Sequence, residues 1–215
     1  MTPLIERLSS DFLPLFLRGM VVNFEIAVIA LAVGLALGLL LAFARLGGGV
    51  PGGAAASVIS VMRAAPTFVV MFFLLNAIPR DATLFGAPFA LSGVMAVALS
   101  LVPYSAAYIA DAGADAMRQL RAGSSLGALL FLPNLTRAFF VLVMSSSAAA
   151  AIGVTEGITV ILRHAEQLPA LGDRLVLFAT GIVLFGIPLQ AGFAIMSFIQ
   201  RRLSLKVARP PADAA

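Results

Sequence analysis

With 215 residues, 61% hydrophobic and 11% charged, and a mean hydropathy of +1.06, the chain has under half the roughly 25% charged residues of a soluble domain, which excludes a water-facing surface. Its net charge of +4 comes from scattered basic residues and one cluster, Arg201, Arg202, Lys206 and Arg209, a membrane-flanking pattern that excludes nucleic acid as a partner. Cysteine is absent, His164 has no companion ligands, and no Gly-rich loop ends in Lys-Ser or Lys-Thr, so disulfides, a metal centre and nucleotide hydrolysis by this chain are excluded.

The apolar stretches are continuous rather than alternating, so they read as helices and not as strands of a barrel. The fold class expected is all-α, a polytopic membrane protein with about five transmembrane helices in one domain over residues 1–208. The opening lacks the basic, apolar, small-residue order of a cleaved leader, so the first span, about 20–45, is expected to remain as an anchor. Gly34 and Gly38 within it are spaced for helix packing, and Glu25 near its outer end reads as pairing or interfacial. A Gly-rich turn at 47–53 leads to the second span, about 55–78. Arg63 lies in it or at its edge: a charge inside a span marks function, while a charge near the end snorkels to the surface. Pro66, three residues on, should kink this helix and has a ligand contact as its other reading.

The third span, about 89–113, carries Tyr104, Tyr108, Asp111 and Asp115 at spacings of four, three and four, which puts them on one helix face. Polar groups in a stripe should face protein or a water-filled path, since lipid cannot bond them; aromatic rings with a carboxylate suit an amino acid's charged backbone. Interfacial anchoring is the alternative for the tyrosines. A polar connection from Arg118 to Ser125 leads to the fourth span, about 127–153, where Ser145, Ser146 and Ser147 precede four alanines. Such a run favours close helix packing, with solute contact as the second reading. Residues Thr155 to Arg174 read as a polar connection carrying Glu156 and His164. The fifth span, about 175–200, contains Pro188, and residues 209–215 should form a disordered cytoplasmic tail. With an odd span count, seven basic residues (Arg45, Arg118, Arg121, Arg201, Arg202, Lys206, Arg209) lie on the C-terminal side against five (Arg7, Arg18, Arg80, Arg163, Arg174) on the other, giving an outside N-terminus and a cytoplasmic C-terminus.

Several segments together resemble the permease subunits of bacterial polar amino-acid ABC importers of the histidine, glutamine and arginine type. The first span holds Leu17-Arg18-Gly19-Met20-Val21-Val22-Asn23-Phe24-Glu25-Ile26, with Asn23 where that family usually has Thr. Met62-Arg63-Ala64-Ala65-Pro66 is close to the family's Phe-Arg-Gly-Thr-Pro. Ala107-Tyr108-Ile109-Ala110-Asp111 is close to Ala-Tyr-Leu-Ala-Glu, and Leu132-Pro133-Asn134 through Ile152-Gly153 aligns without gaps. The resemblance implies a type I ABC-importer-like permease fold in the bacterial inner membrane. It implies a translocation path involving Arg63, Pro66, Tyr104, Tyr108, Asp111, Ser145 and Ser146, with spans two to five as the shared core and span one along its edge. It further implies a separate ATPase subunit that binds the ATP, no cofactor on this chain, an extracytoplasmic solute-binding protein, and a second permease subunit.

The segment between the third and fourth spans departs from that family. It is shorter by about twenty residues on the gapless alignment and lacks the acidic residue of the family's coupling segment, while Met144 and Ser145 stand where Lys and Asp are usual. Arg118, Arg121, Gly123, Leu126 and Gly127 are what remains as a candidate coupling loop. Two functions follow: a permease subunit paired with a companion that carries an intact segment, so that a heterodimer is favoured, or a non-transporting relative acting as a membrane scaffold or regulator.

Overall fold

A computed structural model of the chain describes residues 11–78, 83–84, 87–88, 91–129 and 131–207; the expected tail over 209–215 lies outside them. Helix α1 (Leu13–Leu46) is apolar on every side, yet its buried positions, among them Phe16, Met20, Asn23, Ala27, Ala30, Gly34, Gly38 and Ala42, recur every three or four residues. They form one stripe, while Leu17, Val21, Val28 and Leu40 on the other faces are exposed, as a membrane helix presents to lipid.

The second span is not one kinked helix but two, α2 (Gly49–Ala64) and α3 (Thr67–Ala77), meeting at 95°. Pro66 causes the break: its ring cannot follow a helical turn, and it forces Ala65 out of the helical region, so both residues are extended, with ψ of 115° and 122°. Strands β1 (Thr83–Leu84) and β2 (Ala87–Pro88) then pair antiparallel as a short ribbon.

Helix α4 (Gly93–Arg121) begins at Ser92, whose hydroxyl caps the backbone N–H of Met95 at 3.1 Å. It runs eight residues past the expected end, so Arg118 and Arg121 belong to its last turn and not to a connection. Cations there complement the helix's negative end. The chain turns through Ala122–Ser124, where Gly123 has φ 79°, a conformation that a side chain resists. Helices α5 (Ser125–Leu129) and α6 (Phe131–Ser145) follow, and the fourth span finishes as a 3₁₀ helix (Ser146–Ile152). The connection expected from Thr155 to Arg174 contains a helix, α7 (Gly157–Glu166), whose apolar face packs against α1 and α8 (Leu171–Val207). His164 is therefore not a loop residue: it is half-buried, its ring edge meets Phe12, and its Nδ1 lies 2.8 Å from the Val160 carbonyl.

Four described helices are long and apolar enough to cross a membrane, and the bent α2–α3 pair makes a fifth if counted as one span. Helix α1 packs along α4 more extensively than any other described pair, while its remaining faces are exposed, and 61% of α4's most apolar stretch is buried. Small residues explain this close approach. A Cβ on Gly34 would stand 1.7 Å from Ser105 Oγ, one on Gly38 would stand 2.7 Å from the Ala106 carbonyl, and Ser105 Oγ donates to the Ala30 carbonyl at 2.8 Å.

Candidate functional site

Two polar clusters interrupt the apolar packing. The first joins the end of α1, the end of α2 and the C-terminal half of α4. Asp111 accepts from Arg45 Nη1 at 2.8 Å through Oδ1 and from Arg63 Nη2 through Oδ2. Arg63 sits in the last turn of α2, immediately before the break at Pro66, so the carboxylate ties the broken span to two straight ones. One turn along α4, Tyr108 donates to Asn134 Oδ1 on α6 at 3.4 Å, and its ring stacks on Tyr104 with centroids 6.2 Å apart. Tyr104 is exposed, and Asp115 at the far end of the stripe pairs with Arg118 in the open. The face spacing read from the sequence is correct, and the structure brings Arg63, Asp111, Tyr104 and Tyr108 along it. Arg45, read only as a flanking charge, is part of the cluster; its reach across to Asp111 leaves no trace in sequence spacing.

The second cluster is buried. Glu156 and Asn23 have no exposure, nor has Ser146, and Thr159 keeps only 8%. Asn23 Nδ2 donates to Ser146 Oγ at 2.8 Å and to Glu156 Oε2 at 3.0 Å, while its Oδ1 accepts from Gly157 N at 3.0 Å. Glu156 Oε2 also accepts from Ile158 N at 2.9 Å, and Oε1 accepts from Thr159 N at 2.8 Å and Thr159 Oγ1 at 3.0 Å. Four donors thus surround one carboxylate, and among the described ion pairs it has no cation. Its position follows from local structure: it is the N-cap of α7, where backbone N–H groups lack helical partners and favour an anion. Reading Thr155–Arg174 as a solvated connection missed it. The available signal was an acidic residue just before a short amphipathic pattern.

Ser146 belongs to this second cluster, and Ser145 beside it is half-buried; neither joins the Asp111 cluster. Of the candidate coupling residues, Arg118 and Arg121 are exposed at the end of α4, Gly123 forms the turn, and Leu126 lies on α5. Gly127 N donates to Ser124 Oγ at 3.1 Å, and a Cβ there would meet Gln119 Oε1 at 2.7 Å, so the turn is tightly folded back on α4. Among the described residues no group of three His, Cys, Asp or Glu is placed to hold a metal ion.

No protein-family profile matches the chain, and no curated protein matches its sequence. Among solved structures it is similar to the crystal structure of an amino acid ABC transporter with histidines, at a TM-score of 0.64 and 19% identity, over 90% of this chain and 99% of that one. The likeness establishes the fold: the expected all-α architecture, with four or five candidate membrane spans among the described residues, is shared with that transporter over nearly the full length of both chains.

Proposed function

We propose that the chain is the transmembrane subunit of an ATP-driven importer in the bacterial inner membrane, forming part of the path for a polar amino acid or similar small solute received from a binding protein. The observation that carries this reading is the shared fold with an amino acid ABC transporter across 90% of the chain. In this reading the N-terminus is outside, the C-terminus is cytoplasmic, and ATP is bound and hydrolysed by a separate subunit. That subunit's cycle selects between inward-open and outward-open states. The path is assigned to the face of α4 bearing Tyr104, Tyr108 and Asp111, with Arg63 and Pro66 at the neighbouring break and Ser145 and Ser146 on the fourth span.

Asp111 is shared by two arginines, so its charge is already matched within the protein. Its role is therefore to hold the α2–α3 break against α1 and α4, and solute contact falls to the exposed Tyr104 ring. The turn at Ala122–Ser124 is short and its flanks are basic, which favours a companion permease bearing a fuller coupling segment. The same short turn supports the second reading, a scaffold or regulatory subunit that does not transport. Reconstitution into liposomes with the ATPase, the binding protein and the companion subunit tests the proposal. ATP-dependent uptake of a labelled polar amino acid is expected; uptake unaffected by omitting this chain overturns it.

A further inference from the structure

A cleft of about 280 Å³ lies between the outer part of α1 and helix α7, beside the buried Asn23–Glu156 cluster, where Gly19 packs against the Glu156 and Gly157 backbone. Leu15, Gly19, Val22 and Val160 make its apolar wall, and Arg18, Arg163, Thr155 and His164 make its polar one. Both arginines are exposed, and among the described residues neither takes part in an ion pair, although Glu166 follows Arg163 by one turn and Asp11 is near the start of α1. Two guanidiniums at one concave surface, with no ion-pair partner among the described residues, form a site for an anion, and their planar forks match phosphate oxygens.

Depth points to the source of the anion. Arg45 lies in the last turn of α1, and at 1.5 Å per residue the helix from Arg18 to Arg45 spans about 40 Å, so with Arg45 at one membrane boundary Arg18 falls at the other. That is the thickness of a bilayer including its headgroup layers, about 40–45 Å, so Arg18 stands at the level of the opposite headgroups. The surface around it is that of a lipid-facing helix: Leu15, Leu17 and Val21 are 47%, 52% and 65% exposed. The cleft's volume is at the lower limit of small-molecule pockets, about 300–1,000 Å³, which admits a headgroup and leaves the acyl chains to run down the exposed face of α1. We infer that this cleft binds the phosphate of an anionic membrane lipid through Arg18 and Arg163, docking α7 against α1 at the bilayer surface.

The test uses the full-length protein purified from mixed micelles of phosphatidylglycerol and phosphatidylcholine, with retained lipid counted by native mass spectrometry. The wild type is expected to retain phosphatidylglycerol in preference to phosphatidylcholine. R18Q/R163Q should lower that retention about thirtyfold, the combined effect of two basic side chains at an anionic surface, and each single change about fivefold. R137Q, at an exposed arginine of α6, should retain lipid like the wild type. Inorganic phosphate added at high concentration should leave the lipid in place; if it strips the lipid, a soluble phosphate is the ligand and the lipid assignment is overturned. Equal retention of the two lipids by the wild type overturns the inference without recourse to any variant, as does equal retention by the wild type and a folded R18Q/R163Q.

Discussion

Arg45 Nη1 stands 2.8 Å from Asp111 Oδ1, joining the last turn of the first helix to the C-terminal half of α4, while the second oxygen of the same carboxylate takes Arg63. All three side chains are between 38% and 62% exposed, so each pair alone is worth no more than about 1 kcal/mol. D111N is therefore expected to fold with little loss of stability and to lose uptake, because the break at Pro66 is no longer held. A charge-reversed pair, R63D with D111R, should recover part of that uptake. Labelled-solute flux separates the outcomes: full activity in D111N would mean that the ion pairs hold nothing that transport needs.

Glu156 presents the opposite case, since it is buried with four donors directed at it. E156A leaves the Ile158 and Thr159 N–H groups without an acceptor and removes the α7 cap, costing about 2–4 kcal/mol. E156Q should also destabilise, because its amide group turns a donor toward other donors. Combining N23A with E156A should cost less than the sum of the two, with a coupling of about 0.5–3 kcal/mol. Thermal unfolding in detergent reads all three; additive losses would show that the residues do not act as one network.

Helix α1 meets α4 through small residues, so bulk should separate them. G34L and G38L each place a side chain where Ser105, Ala106 or Ile109 already stands, and protein yield and melting temperature should both fall sharply. S105A removes one interhelical bond and should cost only about 0.6 kcal/mol. A greater loss for S105A than for G38L would contradict packing as the main cause.

The Ala122–Ser124 turn predicts weak coupling. Presented alone to the ATPase, this subunit should bury well under the roughly 1,200 Å² of a stable interface. Binding-protein-stimulated ATP hydrolysis should stay low with this chain as a homodimer and rise when a companion permease is added. Robust hydrolysis in the minimal mixture would remove the case for a heterodimer.

What was legible in the sequence followed from solvent. Lipid cannot satisfy a backbone polar group, so long apolar runs had to be helices, and the four-three-four spacing of Tyr104, Tyr108, Asp111 and Asp115 had to share a face. Pro66 announced a disruption, though its 95° size depended on Ala65 also leaving the helix. Arg45 was not legible as a site residue, because it acquires its role from Asp111 far along the chain, and Glu156 was legible only as a helix cap, not as the partner of Asn23. The packing stripe of α1 was hidden for another reason. Its outer faces are as apolar as its buried stripe, so hydropathy cannot distinguish them, and only the spacing of Gly34 and Gly38 hinted at it.

The 3₁₀ ending of the fourth span has a mechanical consequence. A 3₁₀ helix rises about 2.0 Å per residue against 1.5 Å for an α-helix, so the seven residues Ser146–Ile152 reach about 3.5 Å farther than the same residues would as α-helix. Rewinding that stretch would draw Gly153 inward by that distance and turn each following residue about its axis, pulling on Glu156 just beyond. Such a rewinding would shorten the fourth span, and the Asn23–Glu156 contact would carry the displacement to the first helix.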